Sequence, residues 1–477
     1  MKRYIITLFL VIVALSGCND FLTEEPKMSQ SNELTLATYK GLSDAVAGAY
    51  AYMSSTGWYC GNFIVKNEMN TENGMVHIGK DTDTGRAASD YRIVNYNENN
   101  TSGMWSTCYV MIAAVNNVID NLEGKGDPQD LANLEAEALF LRAFCHFELV
   151  RTFAYPYHWQ GKNGAHDGVP VVLHTEPNAK PKRNTVAEVY DQIIADLTRA
   201  EEIIDPSYVR SGTDKTAYAS LEVIQAFLSR VYLYKRDYDN AAAYATKVID
   251  SKKYSMWTVE DLTLDDEGRN VFNQDIPSGG EVIFEVYGSK ANSYDIIQDG
   301  LCVLTDFDGY GDATCPEQLP GIYEDGDIRK TMFKTATDAK GNRYMWTTKY
   351  HGKGHATPDV NNTIVFRLSE MYLTRAEAGI NGAKGVNAVA DLAMVASNRG
   401  ATPQPATQAG VNEERRKEFV WEAHLWFDLG RTGRAMTRWD QGDGVVTELP
   451  ADSKYWAMPI PHRERNVNPN LTQNPGF

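Results

Sequence analysis

Cys18 follows Leu15-Ser16-Gly17, and small residues ahead of a thiol are what a lipoprotein signal peptidase accepts. Lys2 and Arg3 precede an apolar run from Tyr4 to Leu15 that only Thr7 interrupts. That run is shorter than the roughly 20 residues a membrane-spanning helix needs, and it has the length of a signal-peptide core. The expected chemistry is cleavage after Gly17 and attachment of diacylglycerol to the Cys18 sulfur. Each buried acyl methylene then contributes about 0.8 kcal/mol to anchoring. The alternative is an ordinary secretory signal that happens to contain a cysteine. Residues 1–17 are therefore read as a signal peptide and 18–33 as a polar, lipidated tether.

Other residue sets with chemical potential are weaker. Asp81-Thr82-Asp83-Thr84-Gly85 has the start of a calcium loop, but the later ligands and the bidentate glutamate are missing. A polar turn is the better reading, so no cofactor is expected, with calcium the one candidate. His351 and His355 are four apart, yet the intervening glycines make a loop, whereas zinc ligands at that spacing normally share a helix face. Cys60, Cys108, Cys145, Cys302 and Cys315 remain after Cys18. They are odd in number, so at least one lacks an intrachain partner. Cys302 and Cys315 could close a loop, and small buried thiols are an equal alternative. No GxSxG, HExxH or P-loop pattern occurs. A glycoside hydrolase needs two carboxylates about 5 to 10 Å apart. With 63 acidic residues the sequence does not exclude such a pair, but no motif marks one.

These residues must be held by a scaffold, and composition allows a large one. The chain is 43% hydrophobic, with 26 Tyr and 9 Trp. Its net charge of −17 argues against nucleic acid or an anionic membrane surface as a partner. Helical periodicity predicts helices at Leu34–Met53, Met104–Leu122 and Gln129–Phe153, the last opened by Asp127 as cap and Pro128 in the first turn. Thr185–Ile204 opens with a capping box formed by Thr185 and Glu188. Thr216–Lys235 and Asp239–Ser251 follow closely, with Ala241 and Ala245 where they would cross. That is the packing logic of a tetratricopeptide pair, without a strict period. From 252 to 365 the chain is rich in Gly, Asp, Asn and Tyr, with strands expected at Glu281–Tyr287 and Tyr344–Tyr350. Helices resume at Arg367–Ile380, Gly385–Arg399 and Glu413–Arg431, and the C-terminus is irregular. The expected fold is mainly α: one domain over 34–477, with a helical scaffold at 34–251 and 366–432, a loop-rich insertion at 252–365, and few short strands.

Four stretches resemble the SusD-like (SusD/RagB) family of outer-membrane nutrient-binding lipoproteins. They are Cys18-Asn-Asp-Phe-Leu with its following Pro26, the helix Arg367-Leu-Ser-Glu ending in Ala376-Glu-Ala, and Glu414-Arg-Arg-Lys-Glu418 followed by Trp426-Phe-Asp-Leu429. The fourth is the terminus, Met458-Pro-Ile-Pro461 with Asn468-Pro-Asn-Leu-Thr-Gln-Asn-Pro-Gly-Phe477. They occur in family order along the whole chain. Read as residues alone, they look structural: Glu414, Arg415 and Arg416 lie one turn from Glu418 and Glu422, so ion pairs along one helix face are expected. Trp426 and Phe427 look like core.

The resemblance implies a tetratricopeptide-like scaffold whose loops bind glycans, and no catalysis. It also implies a partner, a SusC-like TonB-dependent transporter, over which the lipoprotein acts as a hinged lid at the cell exterior. A glycan site offers flat rings beside hydroxyl-binding side chains. Two segments carry that mixture, 54–103 and 287–351, and in family members the two regions converge on the ligand. The candidates are Trp58, Tyr59, Asn70, Asp83, Arg86 and Tyr91 in the first, and Tyr294, Phe307, Tyr310 and Trp346 in the second. Trp58-Tyr59, Tyr310 and Trp346 are favoured because glycine and polar neighbours suggest exposure. Each ring could equally pack a loop onto the core. Peptide or another non-glycan nutrient is the alternative cargo, and a purely adhesive surface protein without such rings is a third reading.

Overall fold

The protein is described by a computed structural model covering residues 35–76, 94, 96–99, 103–210, 215–274, 280–288, 300–306, 308–337, 341–353, 360–439 and 445–477. Cys18, the signal peptide and the tether lie outside these residues. No helix among them is long and apolar enough to cross a membrane.

The scaffold begins with α1 (Tyr39–Met53), α2 (Asn62–Met69), α3 (Met104–Ile119), α4 (Pro128–Phe153), α5 (Val186–Ile203), α6 (Leu221–Lys235) and α7 (Tyr238–Asp250). The start signals read from the sequence are present. Asp127 caps α4 by accepting from the Gln129 N–H, and Thr185 and Glu188 cap α5 reciprocally. Consecutive helices pack against one another: α3 on α4, α4 on α5, and α6 on α7. Ala241 and Ala245 are fully buried, and the Ser229 hydroxyl of α6 donates to the Ala241 carbonyl at 3.0 Å, so small residues do let these two helices approach. Arg236 turns the chain between them in the left-handed region, at φ 57°.

The longer helices that follow are α8 (Leu368–Ile380), α9 (Ala388–Asn398), α10 (Gln408–Glu418) and α11 (Leu425–Thr432). α8 packs on α7, extending the series of helix pairs. The four longer strands pair in twos. β1 (Val282–Val286) runs antiparallel to β4 (Thr363–Arg367), and β2 (Phe333–Thr337) forms a hairpin with β3 (Arg343–Thr347). The β1–β4 pair seats the loop-rich region on the scaffold through rings. Phe284 of β1 lies 5.3 Å from Phe140 of α4, and Phe366 of β4 lies 5.5 Å from Phe227 of α6.

Three sequence expectations are corrected. α2 falls inside the stretch read as loop, because a single eight-residue helix gives too few turns for periodicity to show. Glu413–Arg431 is two helices, broken where Trp421 and Ala423 take φ of 63° and 59°. The break buries Trp421, whose indole N–H donates to Cys315 Sγ at 3.0 Å, and gives the Ala423 N–H to Glu68 Oε1 at 2.7 Å. The third correction concerns ion pairs. Within α10 only Glu413 pairs, at 3.9 Å with Arg416 and 4.0 Å with Lys417. Glu414 and Glu418 instead reach Arg329 at 2.7 and 2.8 Å, and Arg415 reaches Asp428 at 2.8 Å.

The two Arg329 pairs belong to a buried ionic cluster. Arg329, Lys349, Arg367 and Arg399 meet Glu281, Asp327, Glu414, Glu418 and Glu422, all of them out of water. Burial pushes the Glu418 carboxyl up, but Arg399, Arg367 and Arg329 outweigh it and hold it well below the ordinary range. For Glu281 burial wins and its carboxyl is raised. Trp426 and Phe427 are core, and the irregular terminus lies on the helices: the Asn474 amide donates to the carbonyls of Phe153 and Met458, both at 2.8 Å.

Candidate functional site

An open cleft of about 650 Å³ lies where α1 meets the loop-rich region. Its volume is within the range of about 300–1,000 Å³ that small-ligand sites occupy. One wall is a face of α1, where Ala45, Gly48, Ala49 and Tyr52 follow helical spacing. Three of these are small, so the wall is recessed, and Tyr52, 44% exposed, closes its end with a ring open to solvent. Ala114 of α3 adds to the same wall.

The next wall is the turn at 54–60. The Ser54 hydroxyl donates to the Ala51 carbonyl at 2.7 Å, and the Ser55 hydroxyl accepts from the Gly57 N–H at 3.3 Å. Beneath the turn sits Trp58, fully buried, its ring 5.6 Å from Tyr59 and 5.9 Å from Phe144 of α4. The opposite wall comes from 288 and 300–302. The Leu301 N–H donates to the Cys60 carbonyl at 2.7 Å, which joins this wall to the turn. Gly288 passes so close to the Asn361 carbonyl that any side chain there would overlap it. Its N–H donates to Asn362 Oδ1 at 3.0 Å. Thr363, at the start of β4, completes the floor.

The cleft therefore draws on both segments singled out in the sequence, at 54–60 and at 288 and 300–302. The favoured rings are not its lining. Trp58 and Tyr59 are buried under the turn, and the Tyr59 hydroxyl donates to Glu148 Oε1 at 3.0 Å. Trp346 is buried in β3, its indole N–H donating to the Gly311 carbonyl at 3.1 Å. Asn70 is buried and hydrogen-bonded to the Tyr96 hydroxyl. The exposure expected of Trp58, Tyr59 and Trp346 is overturned, because their segments fold back and use these rings as anchors. Tyr310 is half-buried and packs against the core. Asp83, Arg86, Tyr91, Tyr294 and Phe307 lie outside the described residues. Tyr52 was missed, although the small-residue spacing ahead of it on α1 was a readable signal.

The cleft carries no Asp, Glu, His, Lys or Arg among its described lining residues, so these offer no acid–base pair. No group of three or more metal-ligating side chains occurs among the described residues, and the Asp81–Gly85 and His355 positions fall outside them. His351 is instead hydrogen-bonded to Asp306. Burial pushes the Asp306 carboxyl up, but hydrogen bonds from His351 and the Asp308 N–H hold it below its ordinary value. None of the five described cysteines forms a disulfide, so Cys302 and Cys315 do not close a loop.

Comparison with known proteins agrees with this architecture. Residues 20–233 match a family described as starch-binding associating with outer membrane, and residues 158–477 match the SusD family. SusD-like protein P2 of Formosa agariphila is 26% identical over 100% of both chains. Starch-binding protein SusD of Bacteroides thetaiotaomicron is 25% identical over 77% of this chain and 76% of its own. A SusD superfamily crystal structure from B. thetaiotaomicron is 27% identical and superposes with a TM-score of 0.80, covering 92% of this chain and 100% of that one. With a matched family description spanning well over half of its length and the helix-pair fold in common, this chain belongs to the SusD family.

Proposed function

We propose that this protein captures oligosaccharide at the outer-membrane surface and passes it to a partner TonB-dependent transporter of the SusC-like type. The lipid on Cys18 would tether it there, facing the cell exterior. The observation that carries the reading is the cleft itself: an exposed ring, Tyr52, beside hydroxyl groups on a recessed apolar wall, in a chain of the SusD family. A sugar has apolar C–H faces and a polar rim, and this arrangement matches both. Binding without hydrolysis is expected, since no carboxylate lines the cleft among the described residues. An open, shallow site should hand its cargo on, so affinities of about −8 to −4 kcal/mol, micromolar to millimolar, are expected.

Calorimetric titration of the purified chain against an oligosaccharide panel, with product analysis of the same samples, tests this. Saturable heat with intact sugar supports capture. Cleaved sugar overturns the non-catalytic reading, and heat from peptides with none from any sugar overturns the glycan reading. Co-purification with a SusC-like transporter tests the handover.

A further inference from the structure

The walls of the cleft hold information about the charge of its ligand. α1 contributes only Ala45, Gly48, Ala49, Ala51 and Tyr52, and the 54–60 turn contributes hydroxyls. Recognition of a carboxylate or sulfate calls for Arg or Lys donors, which bind such groups through charge-assisted hydrogen bonds. None lines the cleft among the described residues. Among the described residues a neighbouring cation, Lys353, is already engaged: its ammonium donates to the Gly288 carbonyl at 3.1 Å and lies 3.9 Å from the centre of the Tyr287 ring. One turn before Gly48, the charge on α1 is a carboxylate, Asp44, paired with Lys40 at 2.5 Å. The whole chain carries −17, which repels polyanions at long range.

What the cleft does offer suits an uncharged polyol. The Ser54 hydroxyl is spent on the Ala51 carbonyl. Ser55 accepts from the Gly57 N–H, which leaves its own hydrogen to donate. Thr56 keeps its hydroxyl on the lining. The Asn361 amide is consumed internally, accepting from the Gly352 N–H at 3.2 Å and donating to the Phe272 carbonyl at 3.0 Å. Hydroxyls around one ring and a small-residue wall can satisfy sugar hydroxyls, and they have no means of neutralising a charge.

We infer that the cleft selects neutral oligosaccharides and rejects uronic-acid or sulfated ones, with Tyr52 as its stacking platform. This inference rests on the glycan-capture reading and narrows it. The test uses the whole chain and three matched panels: neutral, uronate-containing and sulfated oligosaccharides. Neutral sugars should bind, with Kd changing less than about twofold between about 50 mM and about 500 mM NaCl, because no ion pair is screened. Tyr52→Ala should weaken that binding by about tenfold or more. Circular dichroism should be unchanged, as the ring is exposed. Preferential binding of uronate or sulfated sugars, or a steep salt dependence, overturns the inference and leaves glycan capture standing. Full affinity in Tyr52→Ala overturns the assignment to this cleft. Silence from all three panels removes the inference together with the reading beneath it.

Discussion

Arg367 and Glu422 lie 55 residues apart and meet as a two-pronged pair, Nε to Oε2 at 2.8 Å and Nη2 to Oε1 at 2.9 Å. Arg367 ends β4, while Glu422 sits in the break between α10 and α11. The same guanidinium also reaches Glu418, Glu281 and the Ser369 hydroxyl. One side chain thus ties the loop-rich region to the C-terminal helices. Arg367→Met would leave three buried carboxylates short of a cation. A loss of about 3–5 kcal/mol is expected, since breaking a buried pair from one side strands the other charge. Urea unfolding measures it, and an unchanged midpoint would mean the cluster is wet.

Lys66 of α2 is buried without a carboxylate in ion-pair range among the described residues. Its ammonium contacts Met458 Sδ at 3.1 Å. Burial lowers its pKa to about 7, against the charge of Glu148, with Arg151 lowering it further. Unfolded, the amine titrates near its ordinary value of 10.5. Between those values the unfolded chain holds more protons, so this group makes stability rise with pH from about 7 to about 10.5. Below pH 7 its penalty is fully present. Lys66→Met should stabilise the protein by about 2–4 kcal/mol near pH 6 and flatten the slope above pH 7. Thermal unfolding from pH 6 to 10 tests this, and an unchanged slope counts against it.

Trp58 and Tyr52 should separate folding from binding. Trp58→Ala empties a fully buried site under the 54–60 turn and should destabilise by about 3–5 kcal/mol. Tyr52→Ala removes an exposed ring and should change stability by about 0.5 kcal/mol or less. Denaturant melts of the two variants, beside sugar titrations, distinguish an anchor from a contact. Comparable stability losses in both would contradict this division.

Gly48 sits mid-helix with open space where a Cβ would point. Gly48→Ala should stabilise α1 by about 0.5–1 kcal/mol through helix propensity. Gly48→Leu should keep most of that gain while its side chain fills part of the cleft. Calorimetry would then show weaker sugar binding in a chain that melts no lower than the parent. A lower melting temperature for Gly48→Ala would place the glycine in a constrained role.

Much of the scaffold was legible. Asp127, Thr185 and Glu188 announce their helices because capping is a local hydrogen bond between neighbours in sequence. Ala241 and Ala245 announced a helix crossing for a related reason: small residues at helical spacing have few other uses. The exposure of individual rings was less legible. Trp58 and Trp346 have the polar and glycine neighbours of exposed rings, yet burial depends on where a loop closes. That closure is set by Phe144 in one case and by the Gly311 carbonyl in the other.

The sequence alone determined the helix starts, the mainly helical class and the family motifs, because each is written in residues a few positions apart. Tertiary structure decided which charges became core and which ring faces the cleft. Arg367, Glu418 and Glu422 look like surface charge along the chain, and only the packing of β4 against the broken α10–α11 segment encloses them. Tyr52 looks like any helix tyrosine. It lines a cleft because the chain at 288 and 300–302 comes back across α1 and leaves a gap beside it. Local hydrogen bonds and periodicity are short-range, whereas enclosure is a property of surfaces that meet only once the chain is folded.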